Sequence, residues 1–374
     1  MKKHPSVAAI TPTQTLPHQG GGFFSKRHRA PGLPAFSAVA LLAGLVPALF
    51  TGAVAGPLAY VTNQGDDSVS VVDTAPNGSA PLVVETVKVG RKPAGVAVAP
   101  DGNRIYISNP ESRSISVIER EGDHHRVVKE IAVGQGPLGI ATDATGSRVF
   151  VADWYQDGVF VIDAASLAVT GRITVGKSPS GLAVAPAGDR LYVANRESDS
   201  VSVVDLASLA VIAEIKVGTA PFGLTVDPLG TRVFVANVQS GDVSVIDTAS
   251  LNETRRLKVR EFPYGVALTP DGSRIFVTNQ HDNSVSVFDG RTYEPLKLIP
   301  VGEFPEGILV HPDGRRVLVA SWFDDRMDVI DAASLAVTGG IPTGRSPRAF
   351  GQFMRASKRL AEAKSDATVP PVSP

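Results

Sequence analysis

Few residues in this 374-residue chain have the types needed for acid–base or ligand chemistry, and they are widely spaced. Cysteine is absent, which removes disulfides, thiolate nucleophiles, Cys-ligated zinc, iron–sulfur clusters and covalently attached c-type haem. Beyond residue 58 the histidines are His124, His125, His281 and His311. Singly placed histidines build no metal cage, so no metal site is expected, and neither Gly-x-Ser-x-Gly nor His-Glu-x-x-His occurs. His281, within Asn279-Gln-His-Asp282, is a candidate general base or single axial ligand, with Glu306 as its acidic counterpart. The plainer alternative is that His281 is a solvated loop residue.

What must position these residues is a repeat. Tyr60-Val-Thr-Asn63, Tyr106-Ile-Ser-Asn109, Phe150-Val-Ala-Asp153, Tyr192-Val-Ala-Asn195, Phe234-Val-Ala-Asn237, Phe276-Val-Thr-Asn279 and Leu318-Val-Ala-Ser321 recur at spacings of 46, 44, 42, 42, 42 and 42. The last six tetrads follow a Pro-x-Gly, an apolar stretch, a turn such as Pro100-Asp-Gly102, and an arginine: Arg104, Arg148, Arg190, Arg232, Arg274 or Arg316. An alternating stretch follows each tetrad, as in Ser68-Val-Ser-Val-Val-Asp73, and then a fourth that in most copies ends in Val-Gly. Four short strands in about 42 residues is the period of a propeller blade. The expected fold is therefore an all-β, seven-bladed β-propeller of four-stranded antiparallel blades. Period-2 alternation places Val and Ile on both faces of each blade, so the core should lie between blades.

The first copy has no Pro-x-Gly strand ahead of it, whereas Pro347-Arg-Ala-Phe-Gly-Gln-Phe-Met354 stands after the seventh without a partner. Residues 347–354 should therefore close the ring by joining blade one, which removes exposed sheet edges. The propeller spans 56–354, and 355–374 is expected to be a flexible C-terminal tail.

Features present in every blade belong to the scaffold. The arginines are expected to pair with the acids that close the third strands, the asparagines to bond turn backbone, and the Pro-x-Gly glycines to allow close backbone approach near the axis. The informative positions are those where the copies differ. Inside Pro-x-Gly the ring reads Ala94, Leu138, Ser180, Phe222, Tyr264, Glu306 and Arg348, an aromatic pair beside an acid–base pair on one side of the channel mouth. The only two tryptophans follow equivalent tetrads, in Trp154-Tyr155 and Trp322-Phe323, where the usual Asn is also lost. Trp154, Tyr155, Phe222, Tyr264, Glu306, Trp322, Phe323 and Arg348 are the candidate ligand-binding residues. The alternatives are that Glu306 and Arg348 only neutralise each other, and that the tryptophans only cover blade ends.

The Tyr-Val-Thr-Asn tetrad, the Val-Gly-x-x-Pro-x-Gly link and the Pro-Asp-Gly-x-Arg turn resemble those of YVTN-family β-propeller repeat proteins, across residues 58–354. The resemblance implies the fold and leaves the activity open. Such proteins include surface-layer and periplasmic binding proteins, and the wider superfamily includes lactonases, lyases and domains holding a modified haem.

Residues 1–33 carry Lys2, Lys3, Lys26, Arg27 and Arg29 without an acid, followed by an uncharged run that ends in Ala53-Val54-Ala55. This is the layout of a signal peptide over residues 1–55 or, if it is not cleaved, of an N-terminal anchor. Removing its five basic residues from the chain's 36 Lys+Arg leaves 31 against 37 Asp+Glu, a formal charge of −6. That balance disfavours a nucleic-acid partner. The reading that emerges is an exported, periplasmic or extracellular monomer that binds a small molecule or a protein partner at the mouth face, with no cofactor predicted and membrane contact only through an uncleaved leader. A propeller enzyme or a modified-haem carrier and a surface-layer or adhesion component are the alternatives.

Overall fold

A computed structural model of the chain describes residues 57–74 and 80–354; the expected signal segment 1–55 and tail 355–374 lie outside these. Seven sheets follow one another along the chain. In blade four, Pro179–Val184, Arg190–Asn195, Ser200–Asp205 and Ala210–Lys216 pair antiparallel in sequence order, from the inner strand outward. The inner strands of blades two, three, five, six and seven begin at Gly95, Pro137, Pro221, Pro263 and Pro305. The only helical turns among the described residues are the short 3-10 segments Arg196–Ser198 and Gln280–Asp282. None of their helices is long and apolar enough to cross a membrane.

The alternation in sequence becomes two-sided packing. From blade four, Leu191 and Val193 pack against Phe150, Ala152 and Val159 of blade three. Tyr192, pointing the other way, packs with Val201 and Val203 against Val233 and Val235 of blade five. The leading tetrad residues Tyr60, Tyr106, Phe150, Tyr192, Phe234, Phe276 and Leu318 are all fully buried. Each such side chain contributes roughly 1.5–3 kcal/mol of burial free energy, so the inter-blade seams hold the ring together.

Two repeated polar devices differ from the sequence expectation. The tetrad asparagine bonds mainly across strands: Asn195 Nδ2 donates to Ser200 Oγ and Ser202 Oγ on the neighbouring strand, as Asn63 does to Ser68 and Ser70 and Asn279 to Ser284 and Ser286, while Asn63 Oδ1 also accepts from the turn backbone at Gly344 N, 3.1 Å away. The link glycine fits directly over this amide, since a Cβ at Gly176 would lie 2.6 Å from Asn195 Cγ. The arginines, for their part, reach past the closing acids to the next blade's backbone. Arg148 donates to the Leu206 carbonyl at 2.7 Å, Arg190 to Thr248 at 2.6 Å and Arg232 to Gly290 at 2.8 Å. Only Arg104 pairs with the closing acid of its own blade, Glu119, at 2.6 Å. Asp163, Asp205, Asp247 and Asp331 instead cap their following turns through Ser166, Ser208, Ser250 and Ser334.

Closure follows the expected route with one elaboration. Blade one consists of Leu58–Asn63, Ser68–Asp73 and Leu82–Lys88, and residues 347–354 lie along its inner edge. Pro347 bridges Asn63 and Met354 bridges Ala59, and Arg348 N donates to the Thr62 carbonyl at 2.9 Å while Tyr60 N donates to the Phe353 carbonyl at 2.8 Å. Between these points Phe350–Gln352 swings away and pairs in parallel with Gly95–Val98 of blade two. Gly351, at φ +107°, makes this detour possible, because an L side chain rarely adopts that backbone. The last strand therefore clasps two blades at once.

Candidate functional site

The mouth is built by a bulge. In blades three to seven the proline of Pro-x-Gly pairs with the last tetrad residue, and the register then shifts before the third residue along, as between Pro221 and Leu224 or Pro305 and Ile308. A bulge leaves residues outside the ladder and re-aims them, here toward the axis. The glycine that follows fits against the adjacent strand: a Cβ at Gly223 would sit 2.2 Å from the Tyr264 carbonyl, and one at Gly307 2.2 Å from that of Ala349. A hydroxyl inside the tetrad fixes the next blade, with Thr278 Oγ1 donating to the Glu306 carbonyl and Ser108 Oγ to that of Leu138.

All seven residues of this first ring are buried. Phe222 packs on Tyr264 with ring centroids 4.1 Å apart, on Phe350 at 4.9 Å and on Trp154 at 6.2 Å. Ala94, Leu138 and Val238 complete this apolar plug. Beside it lies an ion pair: Arg348 Nε meets Glu306 Oε2 at 2.5 Å, its Nη2 meets Glu306 Oε1 at 3.3 Å, and the same Nη2 donates to Tyr264 Oη at 2.6 Å. Gln280 Nε2 donates to Glu306 Oε1 at 2.8 Å. Glu306 is 3% exposed and Arg348 8%. Burial opposes the charge on Arg348, but Glu306 and Tyr264 outweigh it and hold the guanidinium pKa above its ordinary value. Burial likewise lifts the Tyr264 hydroxyl well above the usual tyrosine range. The pair is thus a fixed, internally neutralised element of the mouth floor.

A second ring comes from the residue after each tetrad: Gln64, Pro110, Trp154, Arg196, Val238, Gln280 and Trp322. Six of these are held alike, each donating its backbone N–H to the residue before a Pro-x-Gly proline, as in Arg196 to Ser178 and Gln280 to Phe262. Arg196 places its guanidinium 5.7 Å from the Trp154 ring and 5.9 Å from that of Phe222. Burial lowers its pKa, with Tyr264 and Glu197 acting weakly the other way. Neither a hydrogen bond nor an ion pair engages this guanidinium among the described residues. Gln64 Nε2 and Trp322 Nε1 are also buried without an acceptor.

The remaining candidates separate into a second aromatic group. His281 stacks on Phe262 at 3.7 Å and 15° and lies 5.3 Å from Phe304, which meets Phe323 at 4.6 Å; Phe323 in turn meets Trp322 at 4.6 Å. Burial lowers the His281 pKa, opposed by Glu261, and so favours the neutral imidazole. Phe262 and Phe304 hold φ of +55° and +54°, a left-handed backbone that bulky residues rarely adopt. Phe323 and Tyr155 remain 47% and 46% exposed, the latter beside Gly136.

The structure therefore unites Trp154, Phe222, Tyr264, Glu306 and Arg348 and places Trp322, Phe323 and His281 in the adjoining group. No hydrogen bond joins His281 to Glu306. His125 is engaged elsewhere, bonding Tyr60 Oη at 3.1 Å and Glu85 at 2.7 Å, and His311 bonds Thr74 and Asp313. Sequence reasoning missed Arg196, Gln280, Gln64, Phe262, Phe304 and Phe350. The first five occupy repeat positions whose column-by-column comparison would have exposed them. Beneath the plug the axial channel, of about 610 Å³, is lined by inner-strand backbone and residues such as Ile140, Leu182, Leu224 and Ile308, with Asp143 and Pro186 also in its wall. Its wall offers little specific chemistry beside the donors of the mouth.

Among solved structures the chain is similar to a chain of Kuenenia stuttgartiensis hydrazine synthase, at 23% identity and TM-score 0.66, covering 78% of this chain and 99% of that one. It is also similar to a putative 6-phosphogluconolactonase from Bacteroides uniformis, at 15% identity and TM-score 0.67, covering 78% and 98%, and to a Lactobacillus plantarum protein, at 18% and 0.70, covering 80% and 98%. At these identities the likeness is one of fold. No curated protein matches the chain. The profile of the YNCE-like beta-propellers matches residues 33–358, spanning every blade and the closing strand, and on that match the chain belongs to the YNCE-like beta-propeller family.

Proposed function

We propose that this protein is an exported, periplasmic or extracellular binding protein that holds a small molecule or the tip of a protein partner at the mouth face of its propeller. The observation that carries the reading is the pair of buried N–H groups at one repeat position, on Gln64 and Trp322, that have no protein acceptor, joined at that position by the partly exposed guanidinium of Arg196. Buried donors without partners are costly and uncommon in folded proteins, and a bound ligand is one source of the missing acceptors. The aromatic side chains around them supply contact area.

Native mass spectrometry of the secreted protein tests this directly. A retained adduct, together with an N-terminus at residue 56, is the expected result; a bare polypeptide that also fails to respond to any ligand in solution overturns it. The same preparation separates the enzyme and tetrapyrrole alternatives. A Soret band would indicate a carried haem, and loss of turnover in both Glu306→Gln and His281→Ala would move the reading toward catalysis.

A further inference from the structure

We infer that the mouth is a seat for a small organic anion, whose carboxylate or comparable oxyanion bonds the Arg196 guanidinium where it lies over Trp154 and Phe222. This rests on the binding role proposed above and specifies the ligand class.

The two arginines of the mouth are used differently. Arg348 is committed to Glu306 and Tyr264. Arg196, at the position after the tetrad of blade four, has its guanidinium beside the Trp154 and Phe222 rings and takes part in no hydrogen bond or ion pair among the described residues. These ring contacts supply no oxygen acceptor for the guanidinium N–H groups, and such a group matches a carboxylate in two-point geometry. Partial burial raises the cost of leaving that charge uncompensated, and an incoming anion removes the cost.

The other unpartnered side-chain atoms at this repeat position point to the same ligand character. Gln64 Nε2, on a residue only 7% exposed, and Trp322 Nε1 are both donors without an acceptor. Unpartnered acceptors include Gln156 Oε1, two residues after Trp154, and the Oδ1 atoms of Asn109, Asn195, Asn237 and Asn279; the asparagines repeat from blade to blade within the scaffold, and the first three lie beneath link glycines. With Arg348 already committed to Glu306, Arg196 is the mouth cation without a hydrogen-bonded counter-ion among the described residues, Glu197 acting on it only weakly.

Trp154 and Trp322 are the only tryptophans of the chain, so intrinsic fluorescence reports from this face alone. Titrating the full-length protein with benzoate and, separately, with its neutral isostere benzamide should give a saturable change for benzoate only. Arg196→Gln should weaken benzoate at least about tenfold, Arg196→Lys should weaken it less, and the outer-strand Arg256→Gln should leave it unchanged. The melting temperature of Arg196→Gln should equal or exceed that of the wild type, because an uncompensated charge is removed; a fall of several degrees would make Arg196 structural and overturn the assignment. Equal response to benzamide, or undiminished benzoate binding by Arg196→Gln, overturns the anion seat and leaves mouth binding standing. Silence toward both probes overturns the seat, and silence combined with the absence of any retained adduct removes the binding role as well.

Discussion

At the scale of single residues, the mouth contrasts a satisfied charge with an unsatisfied one. Glu306 lies between Arg348 and Gln280 with almost no access to water, so removing its charge strands a buried guanidinium. Breaking one side of such a pair costs about 3–5 kcal/mol, whereas replacing both sides with apolar residues is often near neutral. Urea unfolding should accordingly find Glu306→Gln destabilised by about that amount and the Glu306→Met/Arg348→Met double variant restored by most of it. Equal losses in both would mean that the hydrogen bonds to Tyr264 and Gln280 matter more than the charges. The sequence showed the Glu306–Arg348 pairing because both residues depart from their template in neighbouring copies. For Arg196 a comparison of the repeat columns marks the position as variable, but its significance depends on the aromatic rings of blades three and five converging on it, a relation between blades that the column alone does not encode.

At the scale of the element, the inner strand is a bulge followed by a glycine that touches its neighbour. A Cβ at Gly181 would sit 2.3 Å from the Phe222 carbonyl, while one at Gly171 on the outer strand would meet nothing closer than 3.9 Å. Gly181→Ala should therefore cost about 1–3 kcal/mol or more, and Gly171→Ala should stay within about 0.5 kcal/mol, as read by denaturant midpoints. A near-neutral Gly181→Ala would mean that the inner strands can part without loss. This glycine role was legible from spacing, because Pro-x-Gly recurs where a ring must crowd its axis. The asparagine and arginine roles were not, since a side chain that reaches a neighbouring strand and one that bonds its own turn leave the same sequence mark.

The turns at the far end of these strands carry the acid sensitivity. Burial opposes ionisation of Asp143 and Asp227, but bonds from Ser147, Thr145 and Arg148 in one, and from Thr231 and Arg232 in the other, prevail and hold both below the usual carboxylate range. A depressed native pKa gives stability that is present above the unfolded value, near 3.9, and is lost as pH falls through the native one. The melting temperature should be level near neutrality and fall below about pH 4. Asp227→Asn should melt lower at pH 7 and lose less on acidification; an identical acid slope in the variant would exclude this turn as a source.

At the scale of the whole molecule, everything depends on one short strand. A chain ending at residue 346 loses both the inner edge of blade one and the parallel pairing with Gly95–Val98, and it exposes sheet edges on both. Circular dichroism and thermal melting should show such a truncation failing to unfold cooperatively, whereas a soluble 56–346 fragment with a sharp transition would refute the clasp. Closure was foreseeable from the missing first strand. The detour at Phe350–Gln352 was not, because it arises from a glycine conformation chosen by two competing sheet edges.

The clasp also orients the molecule. The first described strand starts at Leu58 and the last bridge ends at Met354, opposite Ala59, so both ends of the described chain leave side by side at the end of blade one remote from Asn63 and the mouth. A support coupled directly at Leu58 or Met354 would attach on the side remote from the Arg196 face. A protein captured there should therefore bind its ligand as freely as one in solution.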